Sequence, residues 1–101
     1  MDPAADPIVS DHRAQITAID LAILDAINRR IELVASLHEH KRVQGYPTVD
    51  PGREQALIEH LRELNPGPLS DEALDRLEGL ILELCTSEAA RMSSKKETEP
   101  A

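Results

Sequence analysis

Thirty-five consecutive residues, Ser10 to Gln44, contain neither glycine nor proline. Within them Ile16, Ile19, Ile23, Ile27, Val34 and Leu37 recur at helical intervals, which predicts one helix with a single apolar face. Ser10 or Asp11 is the expected N-cap. A helix of about thirty residues is ~45 Å long. A compact domain of this chain's size has a radius of gyration of only about 13 Å. The helix therefore overshoots a globule built from one copy and calls for a partner over its exposed half, most simply in a two-fold dimer.

The rest of the chain is read around that helix. Gly45-Tyr46-Pro47-Thr48-Val49 interrupts it, and Asp50-Pro51 opens a second helix, with Asp as N-cap and Pro at the first helical position. That helix carries Leu57, Ile58, Leu61 and Leu64 and stops at Asn65-Pro66-Gly67-Pro68. Ser70-Asp71-Glu72 opens a third, with Leu74, Leu77, Leu80, Ile81, Leu84 and Cys85 as its apolar stripe. Residues 1–9 read as a loose arm, 10–91 as the helical domain and 92–101 as a frayed tail. Tyr46 is the sole aromatic residue, so the core must come from Leu, Ile, Val and Ala, which favours helix packed on helix. The expected fold is all-α.

Composition removes several function classes. A single cysteine supports neither a disulfide framework nor a Cys-rich zinc site. A net charge of −8 without a basic stripe argues against nucleic acid as a partner. No apolar run reaches the ~20 residues of a membrane span, nor is there a signal-peptide core at the start, so the chain reads as cytoplasmic.

The chemical anomaly sits on the long helix. Arg30 and Lys41 are eleven residues apart, so they point the same way within ~20°. That direction is the apolar one, and neither has an acid three or four residues away. Two such cations look for an anion. The simpler alternative is that they snorkel, with buried stems and solvated heads. Arg13 is offset from Arg30 by roughly 100° and would serve more readily in a neighbouring subunit's site. At the second helix start, exposed N–H groups beside Arg53 suit an anion, while Asp50 and Glu54 would accept from a hydroxyl or ammonium group. His12, His38, His40 and His60 lack metal-ligand spacing and read as solvated, and no metal is expected.

Together, Arg13, Ile16, Ile19 and Asp20, then Arg30, Lys41, and Asp50, Arg53 and Glu54 resemble the all-helical (AroQ-class) chorismate mutase family. The pattern is Arg-x-x-Ile-x-x-Ile-Asp, an Arg ten positions on, a Lys eleven later and Asp-x-x-Arg-Glu nine later, matched without a gap. The resemblance spans about residues 11–91. It implies an intertwined homodimer with two sites lined by both chains, converting chorismate to prephenate without a cofactor. It further implies that Arg30, and Arg13 from the partner chain, grip the carboxylates of a small dicarboxylate substrate, and that Lys41 donates to the ether oxygen of the breaking bond. Asp50 and Glu54 would lie near ring carbon 4, with Arg53 ordering the loop or supporting the anion site. A [3,3] rearrangement needs fixed cations to hold a flexible dianion and a donor for the growing charge, which suits these residue types.

The third helix departs from the family. Its usual Ser-x-x-x-Gln falls on Cys85 and Ala89, and alanine donates nothing. Glu88, one step away, would replace the Gln only if protonated; otherwise it is a solvated carboxylate and Cys85 a small core residue. Glu83 to Met92 also resembles a branch acting on 4-amino-4-deoxychorismate in antibiotic precursor synthesis. The chain has no room for an effector domain, which leaves regulation to a partner protein. The competing class is a non-enzymatic helical adaptor that dimerises and binds another protein; it explains the long helix but not the shared azimuth of Arg30 and Lys41.

Overall fold

Aspartate followed by proline opens two of the three helices. The computed structural model describes residues 2–98, and all regular structure among them is helical. Asp2 caps a short 3-10 turn, Pro3–Ala5, by accepting from the Ala4 N–H. At the next step the Asp6 carboxylate accepts from the Ile8 N–H at 2.9 Å, and α1 runs from Pro7 to Gln44. The helix thus begins ahead of Ser10 and Asp11, inside the segment expected to be a loose arm. Proline's fixed φ and missing N–H favour the first helical position, and a carboxylate before it satisfies an orphan donor.

α1 closes on Gly45, whose φ of +75° lies in the left-handed region. There the Tyr46 N–H donates to the Lys41 carbonyl at 2.8 Å. α2 spans Pro51–Leu64, with Asp50 accepting from the Arg53 N–H at 3.1 Å. Asn65 then shapes the break: its amide nitrogen donates to the Leu69 carbonyl at 2.8 Å, and its oxygen accepts from the Gly67 N–H at 3.0 Å. α3 spans Asp71–Thr98, opened by Ser70 Oγ accepting from the Ala73 N–H.

Residues 92–98, expected to be a frayed tail, continue α3, while 99–101 lie outside the described residues. Met92 to Thr98 contains no glycine or proline, and its Lys and Glu residues are good helix formers however polar the segment looks.

The chain divides into two units, residues 1–30 and 31–101. In the first, α1 from Asp11 to Ala26 is exposed throughout, with Ile16, Ile19 and Ile23 all more than half exposed. Only Ile27 and Arg30 among its last residues are half-buried. In the second unit, Ile31, Val34, Ala35, His38 and Lys41 are half-buried at three- and four-residue steps. Among the described residues the buried side chains all lie on α3: Leu74, Glu78, Cys85 and Ala89.

This line corrects the expected stripe. Leu77, Leu80 and Leu84 stay exposed, while Leu74 and Cys85 go in with Ile81 half-buried beside them. Apolar residues cover a broad arc of α3, and the small side chains Cys85 and Ala89 sit where the helix is buried most completely. On α2, Leu57, Ile58 and Leu61 are half-buried but Leu64 is exposed.

α2 and α3 pack together, and the Arg62 guanidinium grips the Asp75 carboxylate through Nε at 2.8 Å and a terminal nitrogen. The fork pairs two planar groups and fixes orientation as well as proximity. The hydrogen bond from Arg62 holds the Asp75 carboxyl below its ordinary value.

Candidate active site

Lys41 occupies the last turn of α1, one turn before the left-handed Gly45. Its side chain is half-buried, and Nζ donates to the Thr48 carbonyl at 3.2 Å. A neutral carbonyl satisfies one donor but does not neutralise the charge. The ammonium also presses on its neighbour: burial, then the nearby Lys41 charge, push His38 below the ordinary histidine value. The neutral imidazole is thereby favoured, and His38 is half-buried rather than solvated. His12 and His60 are exposed as expected, and the His40 ring meets Tyr46 edge-on.

The α2 start brings Asp50, Arg53 and Glu54 into one turn. Asp50 spends a carboxylate oxygen on the Arg53 N–H, Arg53 extends into solvent, and Glu54 is half-buried. Thr48 stands two residues before Asp50, so the loop carbonyl that Lys41 holds belongs to the segment that delivers the acids. Lys41 and the α2 start are thus brought together locally.

On α3, Cys85 and Ala89 are each 1% exposed, one turn apart on the buried line. Neither offers a strong hydrogen-bond donor. Glu88 sits beside that line, half-buried, and its carboxylate accepts from Arg91 Nε on its own helix. The neighbouring guanidinium engages one of the carboxylate's two oxygens, Oε2.

The two remaining expected residues lie in the first unit. Arg13 is exposed and Arg30 half-buried. Arg29 turns outward toward Asp25 at 4.0 Å, which separates the adjacent arginines into a solvent-side and an inward one. Arg30 already has an interaction partner within the chain, so its half-burial does not by itself demand a ligand. A search for acids three or four residues away therefore does not decide whether Arg30 is paired.

Sequence reasoning missed Glu78, the carboxylate on the buried line of α3, which also has a partner. Its signal is positional: an acid one turn after Leu74 and two turns before Cys85. The Thr48 carbonyl was missed too, because a main-chain group carries no signature in side-chain types. An open cavity of about 540 Å³ in the second unit is lined by Glu32, Ser36, Glu39 and Arg42 of α1 with Met92 and Ser93 of α3. Arg42 is already paired with Glu39, and the carboxylates suit this cavity poorly to a dianion. Among the described residues no cluster of His, Cys, Asp and Glu has metal-binding geometry, and no helix is long and apolar enough to cross a membrane.

The sequence profile of the family "Chorismate mutase type II" matches residues 12–89. The chain belongs to the chorismate mutase type II family. The match takes in α2 whole, most of α1 and α3, and every charged position singled out from Arg13 to Glu54. Among curated proteins, the chain is 32% identical over 85 residues to the bifunctional chorismate mutase/prephenate dehydratase of Neisseria gonorrhoeae. That alignment covers 84% of this chain and 23% of the relative, so the chain spans less than a quarter of the relative's length. No solved structure matches the chain. The all-helical architecture agrees with the type II family, and the departures on α3 are departures within it.

Proposed function

We propose that the chain is an isomerase that rearranges chorismate to prephenate, acting as an intertwined homodimer with two sites, each built from both copies. The observation that carries the reading is the unbroken register of Arg13, Arg30, Lys41, Asp50, Arg53 and Glu54 inside the span matched by the family. The prephenate dehydratase half of the relative's name has no counterpart in this reading.

In the reaction one C–O bond breaks as one C–C bond forms, within a single molecule and without an obligatory proton transfer. The protein's task is to hold the substrate's compact conformer and to stabilise charge where it grows. Arg30 and the partner's Arg13 bind the two carboxylates. Lys41 donates to the ether oxygen as the C–O bond lengthens, an interaction stronger in the transition state than in the ground state. Asp50 and Glu54 lie near the substituent on ring carbon 4, and Arg53 supports the turn that presents them. With Ala89 and Cys85 on α3 and Glu88 engaged by Arg91, Lys41 carries the stabilisation of the ether oxygen without a side-chain amide opposite.

The exposed Ile16, Ile19 and Ile23 support a second copy as the cover for α1, since this stripe has no partner within the first unit. A homodimer also gives Arg13, exposed on the same helix, a site to enter.

A second substrate is favoured by one specific feature. The pairing of Asp50 and Glu54 at the α2 start would suit an ammonium at carbon 4, and α3 lacks the amide used by common members. Purified protein is assayed on chorismate and on 4-amino-4-deoxychorismate at matched concentrations. The proposal expects kcat/KM for chorismate at least about tenfold above that for the amino compound, a difference of ~1.4 kcal/mol in transition-state binding. The reverse preference would make the chain an amino-substrate mutase. Turnover of neither would leave the helical adaptor standing.

A further inference from the structure

The contact between Lys41 and the α1–α2 loop points to a positioning group for the reaction. We propose that the main-chain carbonyl of Thr48 orients the Lys41 ammonium toward the ether oxygen, so that the loop, and not α1 alone, sets the alignment of the donor. The proposal rests on the reading of Lys41 as the ether-oxygen donor and adds to it what holds that donor.

Three observations carry it. Lys41 Nζ lies 3.2 Å from the Thr48 carbonyl, seven residues on and in the loop beyond the end of α1. A flexible four-carbon side chain with three donors gains a defined direction when one N–H is committed, and two remain for an anionic ligand. The start of that loop is itself anchored, since Gly45 holds φ at +75° and the Tyr46 N–H donates to the carbonyl of Lys41 itself. Lys41 therefore meets the loop at both ends, through its main-chain oxygen and its side-chain nitrogen. The loop's far end is fixed in turn, because Asp50 caps α2 two residues past Thr48. The ammonium and the acids of the α2 start are thus set by one short segment. Alignment of a donor matters most when charge has grown on the acceptor, so a loosened clasp reduces kcat and leaves KM nearly unchanged.

The test weakens the carbonyl without altering a side chain. In the full-length chain, Val49 is replaced by the corresponding α-hydroxy acid, which converts the Thr48 carbonyl from an amide to an ester and makes it a poorer acceptor. The expected result is a fall in kcat for chorismate of about five- to tenfold with KM changed less than about twofold. An unchanged kcat overturns the positioning while leaving the mutase reading intact. A rise in KM as large as the fall in kcat also overturns it, because that marks lost ground-state binding. An unmodified chain that turns over no substrate overturns the reading of Lys41 and the positioning with it.

Should the ester-containing chain lose its helical circular dichroism, amide hydrogen exchange on Lys41→Met decides the same point. Release of the clasp there speeds exchange of the Tyr46 amide about tenfold, and an unchanged rate overturns the proposal.

Discussion

Lys41→Ala lowers kcat for chorismate by about 10²- to 10³-fold and leaves helix content unchanged, as measured by steady-state turnover and circular dichroism. The magnitude follows from what Lys41 is asked to supply. Removing one preoriented donor from a growing oxyanion costs about two to three powers of ten in rate. Here no amide on α3 is placed to share the load, because Ala89 is buried without a donor and Glu88 is held by Arg91. The stability effect is small: Lys41 is only half-buried, and its polar contact is one hydrogen bond to a loop carbonyl. A variant that unfolded would place Lys41 among the groups that hold the chain together. A variant with unchanged kcat would remove it from the chemistry.

The second large effect concerns assembly. Ile19→Asp combined with Ile23→Asp is expected to convert the proposed dimer to monomers in sedimentation equilibrium and to remove turnover. Each isoleucine is more than half exposed in the single chain, at 60% and 52%, so the substitutions disturb no core of the first unit. With just over half of each side chain left to cover, each isoleucine contributes about 0.8–1.8 kcal/mol in the proposed dimer. Two positions in each of two copies put about 3–7 kcal/mol at stake, or some two to five powers of ten in the dissociation constant. Carboxylates forced into the same seam would add a desolvation cost. Loss of turnover follows because a monomer presents Lys41 without the partner's Arg13. A doubly substituted chain that remains dimeric would move the interface off this stripe.

The helices were readable because their signals are local. The run from Ser10 to Gln44 lacks a breaker, and Asp50-Pro51 is a start that needs no tertiary contact to form. The same dipeptide at Asp6-Pro7 carries the same signal, yet a second proline at Pro3 and the missing periodicity made the segment read as an arm. The end of α3 is the opposite case: its polarity reads as fraying, yet nothing breaks the helix before Thr98.

Which side of α3 goes inward was not readable. Leu77, Leu80 and Leu84 are as apolar as Leu74 and Ile81, and periodicity alone does not choose between adjacent edges of a wide stripe. The burial of Glu78 carries no mark in a side-chain type that is ordinarily solvated. For the site, the charged residues stood out because helical spacing fixes direction along α1. Their satisfaction did not, as Arg30 has a partner and Lys41 finds a carbonyl across a turn.

Complementation between two inactive variants tests the shared site most directly. Arg13→Ala and Lys41→Ala chains are purified separately, mixed in equal amounts, allowed to exchange subunits and assayed on chorismate. In a mixed dimer one site inherits both substitutions, while the other pairs an intact Lys41 with the intact Arg13 of the opposite chain. Half the dimers are mixed and each holds one working site, so the account predicts about a quarter of wild-type turnover from two preparations that are nearly inactive alone. Turnover no higher than the mean of the separate variants, with subunit exchange verified, would contradict a site built from Lys41 of one chain and Arg13 of the other.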